Sequence, residues 1–192
     1  MKVYEIRWHG RGGQGAKTAA LLLGEALLST GKYFQAFPEY GPERMGAPVK
    51  AFNRLSDEPI KVHCGIKRPH VVVVLDPTLI ESENVTEGLP DDGILLCNTP
   101  ESPESLKKKL GMKETQKVYT VDASTIAKEC IGREIPNTPM LGALIKATNL
   151  VDLKTLINFV KERMEVKFRD KKELIEGNLK SIERAYNEVK CA

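Results

Sequence analysis

Short apolar runs alternate along the chain with longer runs whose apolar residues have helical spacing. This pattern predicts alternating strands and helices. Strands are expected at residues 3–8, 33–37, 49–55, 70–75, 93–97 and 117–121. Helices are expected at residues 16–29, 102–111 and 122–130, and from residue 138 onward. This order is typical of an α/β protein. We expect a three-layer α/β/α sandwich with a Rossmann-like, mixed and mostly parallel sheet.

Two apolar stripes with helical spacing follow near the end of the chain. They consist of Leu153, Leu156, Ile157, Val160 and Met164, and of Leu174, Ile175, Leu179, Ile182, Tyr186 and Val189. We expect Thr138 to cap the helix before them, and Asp170 with Glu173 to form a capping pair for the last helix. The chain is predicted to form one domain, residues 1–192, with a C-terminal helical segment at about residues 152–190.

The first predicted strand is polar on one face. Its apolar residues Tyr4, Ile6 and Trp8 alternate with the charged residues Glu5 and Arg7. A central strand of an NAD-binding domain would be apolar on both faces, as the valine-rich run at 70–75 is. We therefore expect the charged face of the first strand to meet water, or a partner that can pair its charges.

Composition excludes several classes of protein. A net charge of +3 over 192 residues is too small to predict nucleic-acid binding. No apolar run is long enough for a membrane span, and the N-terminus does not resemble a signal peptide, so we expect a cytoplasmic protein. The charged fraction of 29% favours a thermophilic source. The cysteines have no metal-binding spacing and are expected to be buried: Cys64, Cys97, Cys130 and Cys191.

A glycine-rich segment between the first strand and the first helix is the strongest candidate site. Glycine allows close approach to a ligand, and a helix N-terminus attracts anions with about half a positive charge. The residues predicted to face a phosphate group are Gly10, Arg11, Gly12, Gly13, Gln14 and Gly15. The preceding His9 either touches the same ligand or bonds a loop carbonyl. Asp76 follows the valine-rich strand, at a carboxyl end where ligands often bind.

The spacing of Gly10, Gly12 and Gly15 also fits a dinucleotide-binding fingerprint. That fingerprint needs an acidic residue about 20 residues further on, and Glu39 is near that place. Glu39, however, opens a long loop that a simple dinucleotide site does not need. The loop is either a solvated connection or a gate or interface, for which the candidate residues are Tyr40, Gly41, Glu43 and Arg44.

Three segments together resemble the γ component of 2-oxoacid:ferredoxin oxidoreductases. Gly10–Gly15 is similar to its first motif, Tyr40–Gly46 to its second and Asn137–Ala143 to its third. The match covers nearly the whole chain in the same order. The second motif departs from the usual Arg-Gly-Gly ending, because this chain has Met45, Gly46 and Ala47 there. Arg44 precedes the usual arginine by one position.

The resemblance implies a division of labour within a complex. The γ subunit shapes the region where coenzyme A, a substrate, meets the thiamine-bound intermediate. Thiamine diphosphate, Mg²⁺ and [4Fe–4S] clusters are then held by the partner α, β and δ subunits, and this chain alone binds none of them. The implied reaction converts a 2-oxoacid, most commonly pyruvate, and coenzyme A to acyl-CoA, CO₂ and reduced ferredoxin.

Two other functions remain open at this point. One is a stand-alone NAD- or flavin-binding oxidoreductase of the Rossmann type, with Glu39 on the ribose. The other is a purely structural subunit, in which the glycines only form a tight turn.

Overall fold

The fold is organised around one mixed sheet, seen in a computed structural model that describes residues 3–28, 30–39, 46–169 and 171–192. The strands are Tyr4–Arg11 (β1), Tyr33–Glu39 (β2), Pro48–Ser56 (β3), Val71–Val74 (β4), Ile94–Asn98 (β5), Lys117–Val121 (β6) and Lys190–Cys191 (β7). The helices are Ala16–Leu28 (α1), Leu79–Ser82 (α2), Pro103–Lys109 (α3), Ala123–Ile131 (α4), Asn137–Thr148 (α5), Leu153–Lys167 (α6) and Lys172–Glu188 (α7).

The sheet has the strand order β2-β3-β1-β4-β5-β6-β7. Strands β1, β4, β5 and β6 run parallel, whereas β3 is antiparallel to both of its neighbours and β7 is antiparallel to β6. The prediction of a mixed, mostly parallel sheet is confirmed. Strand β3 lies between β1 and β2, so the second strand along the chain does not pair with the first.

Helices cover the two faces of the sheet unequally. Helices α1, α4, α5, α6 and α7 pack in one apolar core with alternate strand residues, among them Trp8 and Val73. The other face is covered by the short helices α2 and α3, which pack on Val72 and Val74. The valine-rich strand is thus buried on both faces, as its unbroken apolar run predicts. The three-layer prediction is confirmed.

The polar face of β1 is paired within the chain. Arg7 and His9 are only 5% and 2% exposed. The guanidinium of Arg7 donates to the main-chain oxygens of Val85 and Glu87 at 3.0 and 2.6 Å. The expectation that this face meets water or a partner is therefore wrong for Arg7, because a loop of the same chain supplies its acceptors.

Several element boundaries differ from those that the sequence predicts. Strand β1 continues through Gly10 and Arg11, because β3 pairs with it along its whole length. Helix α5 begins one residue before Thr138, with Pro136 rather than Thr138 at its N-cap. Pro139 fits there because the first turn of a helix needs no N–H partners. Lys171 occupies the N-cap position of α7, whereas the predicted capping residue Asp170 lies outside the described residues.

Two elements were not predicted at all, α2 and β7. They are four and two residues long, too short to show a hydrophobic period. The expectation for the cysteines is only partly correct. Cys97 is buried and Cys130 partly buried, but Cys64 and Cys191 are exposed because they lie in an irregular loop and on the terminal strand β7. Across the described part of the chain, every helix is too short or too polar to cross a bilayer.

Candidate functional site

The glycine-rich segment divides into a strand end and a tight turn. Gly10 and Arg11 finish β1, and residues 12–15 lead into α1. Gly13 and Gly15 have φ angles of +97° and +80°, a conformation that residues with a Cβ rarely adopt. Gln14 closes the turn from both sides. Its N–H donates to the Arg11 oxygen at 3.0 Å, and its Oε1 accepts from the Arg11 N–H at 2.8 Å.

The turn lies at the carboxyl ends of the neighbouring parallel strands β1 and β4. In open α/β sheets this edge is where ligands bind. Asp76, which follows β4, accepts from the Gln14 side-chain amide at 2.8 Å and lies 3.2 Å from Arg11 Nε. Asp76 therefore lies at the edge where ligands were expected to bind, and it contacts the turn directly.

The Arg11 side chain is anchored by its own chain. Its guanidinium donates to Thr78 Oγ1 at 2.9 Å and to the main-chain oxygen of Gly46 at 3.1 Å, in addition to the ion pair with Asp76. The side chain is 32% exposed. A guanidinium has five N–H donors, so these bonds leave donors that can reach a ligand.

Parts of all three motifs meet at this edge. The Gly12 N–H donates to the Ala47 oxygen at 3.0 Å, and Arg11 binds the Gly46 oxygen, so the end of the second motif is attached to the first. A Cβ on Gly15 would lie 2.5 Å from the side-chain nitrogen of Asn137, the first residue of the third motif. The candidates Tyr40, Gly41, Glu43 and Arg44 lie outside the described residues.

The His9 imidazole pairs with a side chain rather than with the loop carbonyl that was one of its two expected partners. Its Nε2 accepts from Arg7 Nε at 3.0 Å inside the protein. Burial, with smaller contributions from the charges of Arg7 and Lys50, lowers the pKa of His9 to about 3. The imidazole is therefore neutral at physiological pH, which leaves Nε2 free to accept.

The buried, neutral His9 makes the folded protein less stable as the pH is lowered. In the unfolded chain His9 binds a proton near pH 6.5, whereas in the folded protein it does so only near pH 3. Between these values the unfolded state holds more protons, so the free energy of unfolding decreases as the pH falls. We expect His9 to contribute a loss of about 2 kcal/mol between pH 6 and 4.5, at ~1.4 kcal/mol per pH unit.

Denaturant unfolding of the His9→Gln variant at several pH values measures this contribution. The variant has an uncharged acceptor at this place and should lose less stability between pH 6 and 4.5 than the unmodified chain. His63→Gln is the control, because His63 is exposed. An unchanged slope in His9→Gln would contradict the expectation.

Sequence reasoning missed the roles of Thr78 and Asn137 in this site. Thr78 lies between β4 and α2, where no motif marks it, although its bonds to Asp76 help to hold the site together. Asn137 begins the third motif, yet nothing in the sequence shows that it packs on Gly15. An aspartate followed by proline and threonine after a buried strand was the available signal for Asp76 and its partner.

A glycine turn at the carboxyl edge of a mixed sheet, joined there by parts of two further motifs, makes this chain an α/β protein with a candidate binding site at that edge. Comparison with known families agrees with this class. The chain belongs to the pyruvate ferredoxin/flavodoxin oxidoreductase family, whose model matches residues 5–188. The resemblance to the γ component of 2-oxoacid:ferredoxin oxidoreductases is confirmed.

The relatives share nearly their whole length with this chain. Pyruvate synthase subunit PorC of Thermotoga maritima is 51% identical over 191 residues, covering 100% of this chain and 97% of the relative. The common γ subunit of the pyruvate/ketoisovalerate oxidoreductases of Pyrococcus furiosus is 46% identical over 185 residues, with 96% of each covered. The crystal structure of pyruvate oxidoreductase subunit PORC from Thermotoga maritima superimposes with a TM-score of 0.86 at 49% identity, covering 100% of this chain and 99% of that one.

Proposed function

We propose that this chain is the γ subunit of a multisubunit, thiamine-dependent 2-oxoacid:ferredoxin oxidoreductase that makes acyl-CoA, CO₂ and reduced ferredoxin. Pyruvate, giving acetyl-CoA, is the substrate that we favour, since the relatives carry that name. Within the enzyme, the chain shapes the region where coenzyme A meets the thiamine-bound intermediate. It also holds the assembly together.

The observation that carries this proposal is the meeting of the motifs at one edge of the sheet. The Gly12 N–H to Ala47 bond and the contact of Asn137 with Gly15 bring segments far apart in sequence to the start of α1. A turn needed only to join β1 to α1 would not require these distant segments. Their convergence favours a built binding surface.

Coenzyme A fits this surface through its phosphate groups. The Arg11 guanidinium shares Asp76 with Gln14, which lies two residues before α1, and the first N–H groups of an α-helix take acceptors from outside the helix. A helix N-terminus and a guanidinium together favour a phosphate. We place this contact at Gly10–Gly15, with Tyr40, Gly41, Glu43 and Arg44 as the gate or interface beside it.

A stand-alone dinucleotide-binding enzyme is less consistent with the strand order. Because β3 separates β1 from β2, Glu39 pairs with Lys50, and Lys50 in turn pairs with His9. Glu39 therefore lies roughly 10 Å from β1, at about two strand spacings. In a dinucleotide-binding fold the ribose-binding carboxylate follows the strand next to the glycine motif.

Partner subunits supply the redox and thiamine chemistry in this proposal. The described residues contain no cluster of three or more potential metal ligands. We place thiamine diphosphate, Mg²⁺ and the [4Fe–4S] clusters in the α, β and δ subunits, with ferredoxin as the electron acceptor of the whole cytoplasmic complex. No role for nucleic acid or membrane enters the proposal.

The assembled enzyme and the isolated chain test this proposal directly. We expect the isolated chain to show no pyruvate-dependent, coenzyme A-dependent reduction of ferredoxin. A preparation of the α, β and δ subunits without this chain should regain activity when the chain is added. The physical reason is that the isolated chain lacks the groups that form and oxidise the thiamine-bound intermediate.

Assembly with the partner subunits requires a contact surface on this chain. We expect the segment Tyr40–Gly46 and the partly exposed Glu5 to touch another subunit, whereas Arg7 is excluded by its burial. Full activity of the preparation without this chain would contradict the proposal, and so would 2-oxoacid oxidation by the isolated chain.

A further inference from the structure

We propose that Asp76 is a positioning residue that holds Arg11 and Gln14 in the arrangement needed to bind coenzyme A. Asp76 lies outside all three motifs and reaches the glycine turn only through the fold, from the end of the neighbouring strand β4. This inference rests on the proposed role of the glycine turn in coenzyme A binding.

Both oxygens of the Asp76 carboxylate are engaged by groups of the chain itself. Oδ2 accepts from Gln14 Nε2 at 2.8 Å and lies 3.2 Å from Arg11 Nε. Oδ1 accepts from the N–H and the hydroxyl of Thr78, at 3.0 and 2.6 Å. An ionised carboxylate offers about four lone-pair sites; three hydrogen bonds are made to them here, and Arg11 Nε lies beside Oδ2 as an ion-pair partner. Asp76 therefore acts through its neighbours and does not itself bind a ligand.

The contacts on the two oxygens have different tasks. Thr78 donates to Oδ1 from both its N–H and its hydroxyl, which restrains rotation of the carboxylate and keeps Oδ2 directed at the turn. The Gln14 amide must then present its nitrogen to Asp76, and its oxygen is left to accept from the Arg11 N–H. With the opposite amide orientation, oxygen would face carboxylate and nitrogen would face N–H. Asp76 thus selects one orientation of the residue that closes the turn.

The same oxygen orients the guanidinium of Arg11. Asp76 forms an ion pair with Nε, and Thr78 Oγ1, which itself donates to Asp76, accepts from both Nε and Nη2. The donors that remain are then pre-arranged for a ligand, so less side-chain entropy is lost on binding. Hydrogen bonds from Thr78 and Gln14 outweigh burial, which alone would raise the pKa, and lower the pKa of Asp76. The carboxylate is accordingly ionised at neutral pH.

Steady-state kinetics of the assembled enzyme test the inference through a double-mutant cycle of Asp76→Ala and Arg11→Ala. We expect Asp76→Ala to raise the KM for coenzyme A roughly tenfold, equivalent to about 1.4 kcal/mol. The kcat and the KM for pyruvate should change by less than about twofold, since only a binding contact is disturbed. In the Arg11→Ala background, Asp76→Ala should add much less than in the unmodified enzyme.

Two further variants separate positioning from stability. Asp76→Asn has nearly the same size and keeps one carbonyl oxygen, so it should fold and raise the KM for coenzyme A by a smaller factor than alanine. Asp152→Ala is the matched control, because Asp152 makes the same kind of bonds to a threonine, 2.9 and 2.6 Å to Thr155, at the start of α6. It should leave the KM for coenzyme A unchanged.

Additive effects of Asp76→Ala and Arg11→Ala would overturn the inference, as would an equal rise in the KM for pyruvate or an unchanged KM for coenzyme A in both Asp76 variants. If Arg11→Ala itself leaves the KM for coenzyme A unchanged in an assembled enzyme, the proposed role of the turn fails first. The inference about Asp76 then fails with it.

Discussion

Gly142→Ala is expected to lower the free energy of unfolding by about 1–3 kcal/mol, although alanine is the better helix former by about 1 kcal/mol. Gly142 lies in α5, within the third motif, and a Cβ there would overlap the main-chain oxygen of Ile182 in α7. A backbone atom of a packed helix cannot turn aside as a side chain can. Relieving the overlap therefore requires α5 and α7 to move apart in the core.

Denaturant unfolding of Gly142→Ala beside Gly24→Ala measures this effect against a matched control. Gly24 is also in a helix, but the atoms nearest to a Cβ there belong to the ring of Phe34, a partly buried side chain at the sheet edge that can shift. We expect Gly24→Ala to be clearly less destabilising. Equal stability of Gly142→Ala and the unmodified chain would show that α5 and α7 are not in close contact at this point.

Arg11→Ala is expected to raise the KM for coenzyme A about ten- to a hundredfold in the assembled enzyme. A charge-assisted hydrogen bond to a phosphate is worth roughly 1.5–3 kcal/mol, and ~1.4 kcal/mol corresponds to a factor of ten. The same substitution removes the bond to the Gly46 oxygen, so it also loosens the link between the first and second motifs. The KM for the 2-oxoacid should barely change.

The measurement varies coenzyme A and pyruvate in turn, with assembly checked by gel filtration. Arg133→Ala serves as the control, since Arg133 is exposed in the loop between α4 and α5. Arg44→Ala is the companion variant from the second motif. An unchanged KM for coenzyme A in the assembled Arg11→Ala enzyme would favour the alternative of a purely structural subunit. In that case the arginine only connects Asp76 and Gly46 to the turn.

Most of the strands and helices follow from local sequence patterns, so the sequence alone predicts them. The valine-rich run predicts β4 because a strand buried on both faces needs apolar residues without interruption. Ser102 and Asp122 mark the starts of α3 and α4, where their side chains accept main-chain N–H bonds. Strand β6 was predicted at its observed bounds, Lys117–Val121.

Other features depend on partners distant in sequence. Thr138 has a typical capping side chain, worth about 1 kcal/mol at an N-cap, yet the helix starts earlier and Thr138 is buried within its first turn. The alternation in β1 shows that Arg7 is polar, but only the fold shows that the Val85 and Glu87 oxygens cover it. Burial of a charge is decided by what packs against it.

The sequence by itself determined the α/β class, the position of the glycine turn and the resemblance to a family, because hydrophobic period, glycine spacing and motif order are written along the chain. Only the tertiary structure decided that Asp76 joins that turn, that Asn137 packs on Gly15 and that β3 separates β1 from β2. Some of these contacts join residues that are more than a hundred positions apart in the sequence. Which of them form depends on the register and order of the strands, which no local pattern encodes.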